Sequence, residues 1–303
     1  MNSVGTEMIN MIIIALNRYS MHTSKTVSDL NYHLDFEREK GQKIGFVPTM
    51  GALHQGHLSL VTQAKAECDK VVCSIFVNPT QFNDIKDLEQ YPRMPAADMA
   101  MLNEAGCHFV FLPEVKEIYT AGEPLLDINF GALENTMEGT YRPGHFRGVA
   151  TVVDKLFRIV KPSKAYFGEK DFQQLAVIRR MEQFKSHSVE IVGCPTLREN
   201  DGLAMSSRNL LLTPEQREAA PLIYKALMEG NDFIGQVPFS TVKAKVIEKI
   251  NANPFLKVQY FDIVHPDTLI TIKEDEYPAI AQGCIAVLTS GPRLIDNVTY
   301  RLQ

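Results

Sequence analysis

The sequence lacks the basic runs that are typical of nucleic-acid-binding proteins. Its formal net charge is −5, from 31 lysines and arginines against 36 aspartates and glutamates, and its pI is about 5.9. A general nucleic-acid binder presents a basic face or stripe. The charge pattern therefore argues against that class, while a local basic pocket for a small anionic ligand stays open.

The sequence also lacks a Cys-x-x-Cys pair, and its five cysteines are an odd number. Cys68 falls on a predicted helix and Cys73 on a predicted strand. We interpret the cysteines as small buried side chains of a protein in a reducing compartment, rather than as a disulfide framework. The five are Cys68, Cys73, Cys107, Cys194 and Cys284.

No apolar run is long enough to predict a membrane span. The apolar stretch at residues 8–16 is far shorter than the ~20 residues that a spanning helix needs. A basic segment does not precede it, and a small-residue cleavage site does not follow. We expect residues 1–21 to be an N-terminal extension, or a mis-assigned start with Met21 opening the first domain, and we predict a cytoplasmic protein.

Strand and helix patterns alternate through the first two thirds of the 303-residue chain. Apolar residues that recur at spacings of three and four residues predict helices, and short runs of β-branched residues predict strands. Five strands separated by helices imply right-handed crossovers and a parallel sheet, with ligands beyond the carboxyl ends of the strands. The predicted strands are 43–47, 70–77, 108–112, 165–167 and 189–192, and the helices are 56–69, 98–106, 149–160 and 172–184.

The pattern changes near residues 190–200. Helices are predicted at 213–229 and 239–250, and strands at 258–264, at 285–288 and near Val298. We therefore predict an α/β fold with a Rossmann-like parallel-sheet domain over residues 22–195. A smaller α+β C-terminal lid domain follows over residues 196–303.

The first candidate motif is residues 48–57, which follow a predicted strand and open a predicted helix. Free backbone N–H groups and the helix dipole favour phosphate at such a turn. His54 and His57 flank Gly56 and can donate hydrogen bonds to phosphate oxygens, and Gly56 lets a flat base approach the backbone. The alternatives are two surface histidines or a metal site, but a zinc protease would have a glutamate where Gln55 stands.

The second motif, residues 167–174, also lies at a strand-to-helix turn. Gly168 allows a tight turn, Lys170 can neutralise phosphate, Asp171 can accept from ribose hydroxyls, and Gln174 can bind a substrate oxygen. The alternative is an ordinary turn in which the aspartate caps the helix.

Three further segments carry polar groups at the ends of predicted elements. Residues 204–209 place two hydroxyls and a guanidinium in a row, which suits an anion, although a plain capped turn is the alternative. Residues 75–82 end a strand at an amide-rich turn with Gln81, and residues 141–146 form a rigid loop with one charge and one titratable ring. Loops at such positions commonly carry function in α/β proteins.

These five segments, together with residues 91–93 and 260–262, resemble the pantothenate synthetase (pantoate–β-alanine ligase) family from about Lys25 to the C-terminus. Residues 54–57 resemble the HIGH motif of that nucleotidyl-transferase superfamily, and residues 205–208 its KMSKS counterpart. The resemblance implies that pantoate attacks the α-phosphorus of MgATP to give pantoyl adenylate. β-Alanine then attacks the acyl carbon, giving pantothenate and AMP.

The resemblance also implies roles for individual side chains. His54, His57, Lys170 and Arg208 are the expected catalytic residues. The expected ATP-binding residues are Met50, His57, Gly168, Lys170, Asp171, Leu197, Met205, Ser206, Ser207 and Arg208. The expected residues for pantoate or β-alanine are Gln81, Gln174 and Arg142.

Magnesium and a second subunit are implied in the same way. Family members often carry an acidic pair where this chain has Ala97 and Asp98. Ala97 offers no ligand, so Asp98, water or the ATP phosphates are expected to hold Mg²⁺. A homodimer through the first domain, near residues 71–77, is also expected, with no nucleic-acid or membrane partner.

Three other functions stay open on the sequence alone. Another HIGH-motif nucleotidyl transferase would act on a phosphorylated alcohol or a mononucleotide, but two glutamines suit one carboxylate and a hydroxyl better. A tRNA synthetase would carry an anticodon-binding appendage. A non-catalytic ligand-binding protein would be expected to lose His54, His57, Lys170 or Arg208, and all four are present.

Overall fold

The computed structural model describes residues 21–276 and 278–302, so most of the predicted N-terminal extension lies outside the described residues. The strands are β1 (His22–Ser24), β2 (Ile44–Thr49), β3 (Lys70–Ile75), β4 (Phe109–Phe111), β5 (Lys164–Gly168), β6 (Glu190–Cys194), β7 (Lys257–Val264), β8 (Ile280–Leu288) and β9 (Arg293–Arg301). The helices are α1 (Val27–Glu39), α2 (Gln55–Glu67), α3 (Ile85–Gln90), α4 (Pro95–Glu104), α5 (Val115–Ile118), α6 (Ala132–Asn135), α7 (Glu138–Tyr141), α8 (His145–Val160), α9 (Phe172–Lys185), α10 (Pro214–Ala219), α11 (Leu222–Asn231) and α12 (Phe239–Asn251).

The first domain is built on a parallel sheet of six strands, in the order β1-β4-β3-β2-β5-β6. The chain runs from β2 outward to β4 on one side and from β5 to β6 on the other. The order therefore reverses between β2 and β5, and parallel sheets bind ligands beyond the carboxyl ends of the strands at such a switch point. The first and second motifs directly follow these two strands.

The parallel sheet and its five predicted strands are confirmed, whereas β1 is missing from the prediction. β1 is three residues long and has no apolar run, and it joins the sheet edge by pairing with β4. Helix α1 is also missing from the prediction. It begins after Thr26, whose side chain accepts from the backbone N–H of Asp29, and it buries Leu30 and Leu34 against the sheet.

Helix α8 is largely buried against one face of the sheet. Its Phe157 ring meets Phe46 of β2 at 6.4 Å between centroids. The helix begins four residues before the predicted start because Gly144, at φ 79°, turns the chain into His145. It ends at Val160, shortly before Pro162, as predicted.

The second domain packs α10, α11 and α12 against an antiparallel sheet in the order β7-β8-β9. The predicted α+β character is confirmed. The single helix predicted over residues 213–229 is wrong in its middle, since α10 and α11 are separate helices that break at Ala220 and Pro221. Proline removes a backbone donor and clashes with the preceding turn, which ends the first helix.

The cysteines are free thiols. Cys73, Cys107, Cys194 and Cys284 are buried and Cys68 is half-buried. Burial raises the pKa of Cys107 to about 12 and that of Cys194 to about 11, so these thiols are unreactive near neutral pH. The interpretation of the cysteines as small buried side chains is confirmed for the four buried ones, whereas Cys68 is only partly buried at the edge of the core.

Across the part of the chain that the structure describes, helices that combine the length and the apolarity of a membrane span are absent.

Candidate active site

The carboxyl ends of β2, β3 and β5 and the segment after β6 enclose a cleft of about 220 Å³. Every predicted catalytic, nucleotide-binding and substrate-binding residue lines it. These residues are Met50, His54, His57, Gln81, Arg142, Gly168, Lys170, Asp171, Gln174, Leu197, Met205, Ser206, Ser207 and Arg208. Motifs that are far apart in the sequence thus meet in one place.

His54 and His57 form one wall of the cleft at the N-terminus of α2. Their ring centroids are 4.0 Å apart, and the backbone N–H of His54 donates to Nδ1 of His57 at 3.3 Å. Because Nδ1 of His57 accepts this bond, the neutral ring carries its proton on Nε2. His57 is therefore set as a hydrogen-bond donor through Nε2.

Both histidines are neutral at pH 7. Burial, followed by the Lys170 ammonium, lowers the pKa of His54 to about 4. Burial, then His54 and then Lys170, lower the pKa of His57 to about 3. The two rings therefore offer donors rather than positive charge, and the fixed cation beside them is Lys170.

Gly56 is needed for the position of the first histidine. A Cβ at residue 56 would lie 2.8 Å from Nδ1 of His54 and 3.6 Å from Cβ of Met205. The first distance is below any ordinary contact, so a side chain here would displace the imidazole. Nδ1 of His54 is itself buried and without a hydrogen-bond partner among the described residues, which points to a polar ligand at this wall.

Lys170 lies on a turn of 3₁₀ helix, Glu169–Asp171, between β5 and α9. Its Nζ is 4.0 Å from a carboxylate oxygen of Asp171. Asp171 occupies the cap position of α9 without a side-chain capping bond. The alternative of an ordinary capped turn therefore does not hold here, and the carboxylate faces the cleft.

The second domain holds this turn in place. Nδ2 of Asn297 on β9 donates to the carbonyl oxygens of Glu169 and Lys170, both at 2.9 Å. Nε2 of Gln282 on β8 donates to Oδ1 of Asn297 at 2.7 Å and so fixes the orientation of the amide. The position of the Lys170 backbone thus depends on the C-terminal sheet.

Residues 206–208 close the cleft from the other side. Oγ of Ser206 accepts from the backbone N–H of Arg208 at 3.3 Å, as the capped-turn alternative predicts. Ser207 is buried and donates to the carbonyl of Ala52 at 2.9 Å, which fastens this loop to the turn after β2. Arg208 lies 3.4 Å from Asp87 and over the Tyr91 ring, so its guanidinium has a partner on the cleft rim.

Gln81 is held at the end of β3 by its neighbours. Its Oε1 accepts from Nδ2 of Asn78 at 3.2 Å, and its Nε2 lies 2.8 Å from Sδ of Met50. Nδ1 of His145 donates to the Gln81 carbonyl at 2.7 Å, and Nε2 of that ring accepts from Arg142 at 3.1 Å. His145 is therefore a neutral connector between Gln81 and Arg142.

Burial, and then the charge of Arg142, lower the pKa of His145 to about 3. The ring is 7% exposed. Its two hydrogen bonds use the neutral tautomer with the proton on Nδ1, and a second proton on Nε2 would face the Arg142 cation.

A second cavity of about 110 Å³ adjoins the cleft and shares Arg142, Lys170 and Arg208 with it. Its far wall is a charged cluster between the domains. Glu138 accepts from the two terminal guanidinium nitrogens of Arg293, and from the Tyr260 hydroxyl at 3.0 Å. This cluster joins β7 and β9 to the start of helix α7.

Asp98 does not line the cleft, and its predicted role as magnesium ligand needs correction. Its carboxylate oxygens accept from the backbone N–H groups of Ala52 at 3.0 Å and Leu53 at 2.7 Å. Asp98 is 2% exposed. It therefore stabilises the turn after β2, where Gly51 has a φ of 85° and a Cβ at residue 51 would lie 3.0 Å from Oδ2 of Asp98.

Several site residues are not identified from the sequence. His145 is noted as one titratable ring of its loop, yet its link to Gln81 depends on the packing of α8 against the end of β3. Asn297, Glu138 and Arg293 lie outside the motifs, and the sequence around each of them carries no signature of a site. A polar residue in the middle of a strand, as at Asn297, is the single signal that could have indicated one of them.

Comparisons with known proteins find relatives along most of the chain. Residues 22–299 match the family model described as pantoate-beta-alanine ligase. The chain is 50% identical to the pantothenate synthetase of Porphyromonas gingivalis over 280 residues, which is 92% of this chain and 99% of that protein. It is 49% identical to the pantothenate synthetase of Phocaeicola vulgatus over 93% of this chain and 100% of that protein.

Two solved structures are similar along the same length. The pantothenate synthetase of Thermus thermophilus superposes with a TM-score of 0.85 at 45% identity, over 92% of this chain and 99% of that one. The pantoate-beta-alanine ligase of Francisella tularensis, solved with beta-gamma ATP and beta-alanine, has a TM-score of 0.77 at 36% identity, over 92% and 97% of the two chains.

Proposed function

The chain belongs to the pantoate–β-alanine ligase family, and we propose that its cleft performs this reaction with the residues described above. The reaction is the ATP-dependent condensation of pantoate with β-alanine through pantoyl adenylate, with AMP and pyrophosphate as the other products. The observation that carries the assignment to this cleft is the convergence of five separate motifs on it.

The ATP phosphates lie against the His54–His57 wall and Lys170 in this proposal. The N-terminus of α2 supplies free N–H groups, Nε2 of His57 supplies a donor, and Lys170 supplies the charge. These groups stabilise the charge that develops as the carboxylate attacks the α-phosphorus, and they are already oriented before the reaction begins. Asp171 and Gly168 bind the ribose, and Ser206 and Arg208 bind the terminal phosphates.

Pantoate lies between Gln81, Gln174 and Arg142. An amide accepts from a hydroxyl and donates to a carboxylate, so the two glutamines suit an acid that also bears hydroxyl groups. Asn78 and His145 hold Gln81 from behind. The substrate carboxylate is the nucleophile, so the protein's task is to hold two anions together and to exclude water.

Magnesium enters as part of the substrate MgATP. Asp98 does not fit the role of its ligand, because both carboxylate oxygens already accept backbone hydrogen bonds in the interior. Magnesium usually keeps several waters and binds substrate phosphates. We therefore assign the ion to the phosphates and water, and no step of the proposal depends on a protein carboxylate.

The assembly and the compartment are also proposals. A homodimer of the first domain and a cytoplasmic location follow from the family. The interface cannot use β3 itself, because β3 lies between β4 and β2 in the sheet and Val71, Val72 and Cys73 are fully buried.

Product analysis tests the proposed function. The purified protein is incubated with MgATP and either, both or neither of pantoate and β-alanine, and AMP and pantothenate are measured by chromatography. AMP accumulates in multiple turnovers when both acids are present. Nucleotidyl transfer to a phosphorylated alcohol, or no AMP with both acids, contradicts the proposal, and Lys170→Ala is the control for contaminating ATPases.

A further inference from the structure

We propose that His22, Asp29 and His33 form a binding site for a divalent transition-metal ion, with zinc as its typical occupant. The three lie where β1 leads into α1, and they line neither cavity. Among residues 21–276 and 278–302 they are the group of three in which one ligand atom from each lies within 4.8 Å of the others.

The backbone arranges the three side chains before any ion binds. His22 belongs to β1, which is paired with β4. Asp29 and His33 are four residues apart on α1, so they lie on the same face of the helix. That spacing is the one by which a helix commonly offers two ligands to one metal. All three ligands therefore stand on regular elements rather than on a loop.

The distances are close to those of a zinc site. Nε2 of His22 is 3.2 Å from one carboxylate oxygen of Asp29, and Nε2 of His33 is 3.9 Å from the other. Tetrahedral zinc with bonds of about 2.0–2.1 Å separates its ligand atoms by about 3.3 Å. Side-chain shifts of about 1 Å therefore suffice to bring all three atoms onto one ion.

A hydrogen bond between His22 and Asp29 does not account for the third side chain. At 3.9 Å, His33 is too far from the carboxylate for a hydrogen bond, yet its ring centroid is 3.8 Å from that of His22. Two imidazole nitrogens that lie 3.2 and 3.9 Å from one carboxylate suit a shared cation. The three groups are partly exposed, so an ion can enter from solvent.

The donor set determines the class of ion. Two imidazole nitrogens and one carboxylate oxygen favour Zn²⁺, Co²⁺ or Ni²⁺ over Mg²⁺, which prefers oxygen ligands. A bound ion would fasten the edge strand β1 to helix α1. The consequence is stability at that edge of the sheet, and the cleft chemistry does not depend on it.

Zinc titration of the EDTA-treated full chain, without nucleotide, tests the site. Isothermal titration calorimetry measures the affinity, and Co²⁺ reports the geometry through its visible d–d absorption. Asp29→Asn and His33→Gln remove one ligand each. His265→Gln is the matched control, because His265 is a partly exposed histidine with one carboxylate neighbour, Glu276, at 3.1 Å.

The wild type and His265→Gln should bind one equivalent of zinc with the same Kd, and the ion should raise Tm in both. Asp29→Asn and His33→Gln should bind about tenfold more weakly or worse, a loss that even outer-shell partners of a metal can cause. Circular dichroism and the unchanged ligase rate of the variants verify folding. The proposal would be overturned if the wild type did not bind zinc one to one, or if all four proteins bound it with equal affinity.

Discussion

At the scale of single residues, the cleft is lined by three neutral histidines and by the cations Lys170, Arg142 and Arg208. His54, His57 and His145 all have a pKa far below 6.5 because they are buried near positive charge. Each then keeps one nitrogen as donor and one as acceptor. The three rings therefore offer oriented hydrogen bonds, and the positive charge of the cleft comes from the lysine and the two arginines.

Substitution of His57 or Lys170 should slow adenylation. His57→Ala removes a donor and Lys170→Ala removes the cation, and the loss of one preorganised group typically costs ~3–4 kcal/mol, or about 10²–10³ in rate. Rapid-quench measurement of pantoyl adenylate in a single turnover gives the rate. His265→Gln is the control because His265 lines neither cavity, and a loss below about tenfold for both variants would refute their assignment.

His145 should make the stability depend on pH. Its folded pKa is about 3 against an ordinary value of 6.5, so below pH 6.5 the unfolded chain takes up a proton that the folded chain does not. Stability from this group is therefore complete above pH 6.5 and falls as the pH drops toward 3. Between pH 7 and 5 the loss is about 1–2 kcal/mol.

Urea denaturation of the wild type and His145→Gln at pH 7 and pH 5 measures this effect. Glutamine can still donate to the Gln81 carbonyl but does not titrate. The variant should lose less stability than the wild type over this interval, and an equal loss in both proteins would show that His145 is not the titrating group.

Gln81 should affect one substrate more than the other. Gln81→Ala removes an amide that is assigned to pantoate, so the KM for pantoate should rise by about tenfold, the equivalent of one lost hydrogen bond. The KM for ATP should change little. Steady-state kinetics with each substrate varied in turn provides the comparison, and equal increases in the two values would count against the assignment.

At the scale of elements, the predicted site residues lie where strands end. The turn after β2 carries the histidines, the turn after β5 carries Lys170, and the turn after β3 carries Gln81. Asp98 stabilises the first of these turns and Asn297 the second. The loops are thus held by side chains from other elements, which gives them the rigidity that a binding site needs.

Asn297 should be required for the position of the Lys170 turn. Asn297→Ala leaves the carbonyls of Glu169 and Lys170 without their donor, which costs roughly 1–3 kcal/mol of stability. The variant remains folded at 25 °C, so the stability loss alone would not lower the adenylation rate. We nevertheless expect the rate to fall, because the Lys170 turn is displaced. Arg301 is an exposed residue on the same strand, so Arg301→Ala is the matched control. An unchanged adenylation rate in Asn297→Ala would contradict the proposed role of Asn297 in positioning the Lys170 turn.

The sequence predicts the elements and motifs better than the contacts between them. The sheet, the two domains and the residues that line the cleft follow from periodicity and resemblance, because each is encoded locally. β1 has too few residues to show a period. The break between α10 and α11 is signalled by Pro221 itself, and the prediction of one helix gave more weight to the apolar pattern that runs across it. Asn297 and His145 act on partners 64 or more residues away, and one sequence without a structure does not report such pairings.

Asp98 illustrates the same limit at the site itself. Its place beside the expected acidic position predicts a metal ligand, yet its carboxylate is used to hold the backbone of Ala52 and Leu53. A carboxylate that binds two backbone donors cannot be told from a metal ligand by its position in the sequence, because both are acidic residues near a phosphate-binding turn.

At the scale of the whole molecule, the two domains complete each other. Glu138, Arg293 and Tyr260 join them on one side of the cleft, and Ser207 joins the segment after β6 to the turn after β2. The cleft lies between these two sets of contacts. Because Asn297 and Arg293 share β9, a movement of the C-terminal sheet would displace both the Lys170 turn and the Glu138 cluster.

The most direct test of the central claim is ATP–pyrophosphate exchange in the absence of β-alanine. If the cleft adenylates pantoate before the amine reacts, radiolabelled pyrophosphate enters ATP when pantoate is present, and the rate falls about 10²–10³-fold in His57→Ala. Exchange that needs β-alanine, that proceeds equally with unrelated carboxylic acids, or that is unchanged in His57→Ala would contradict the account.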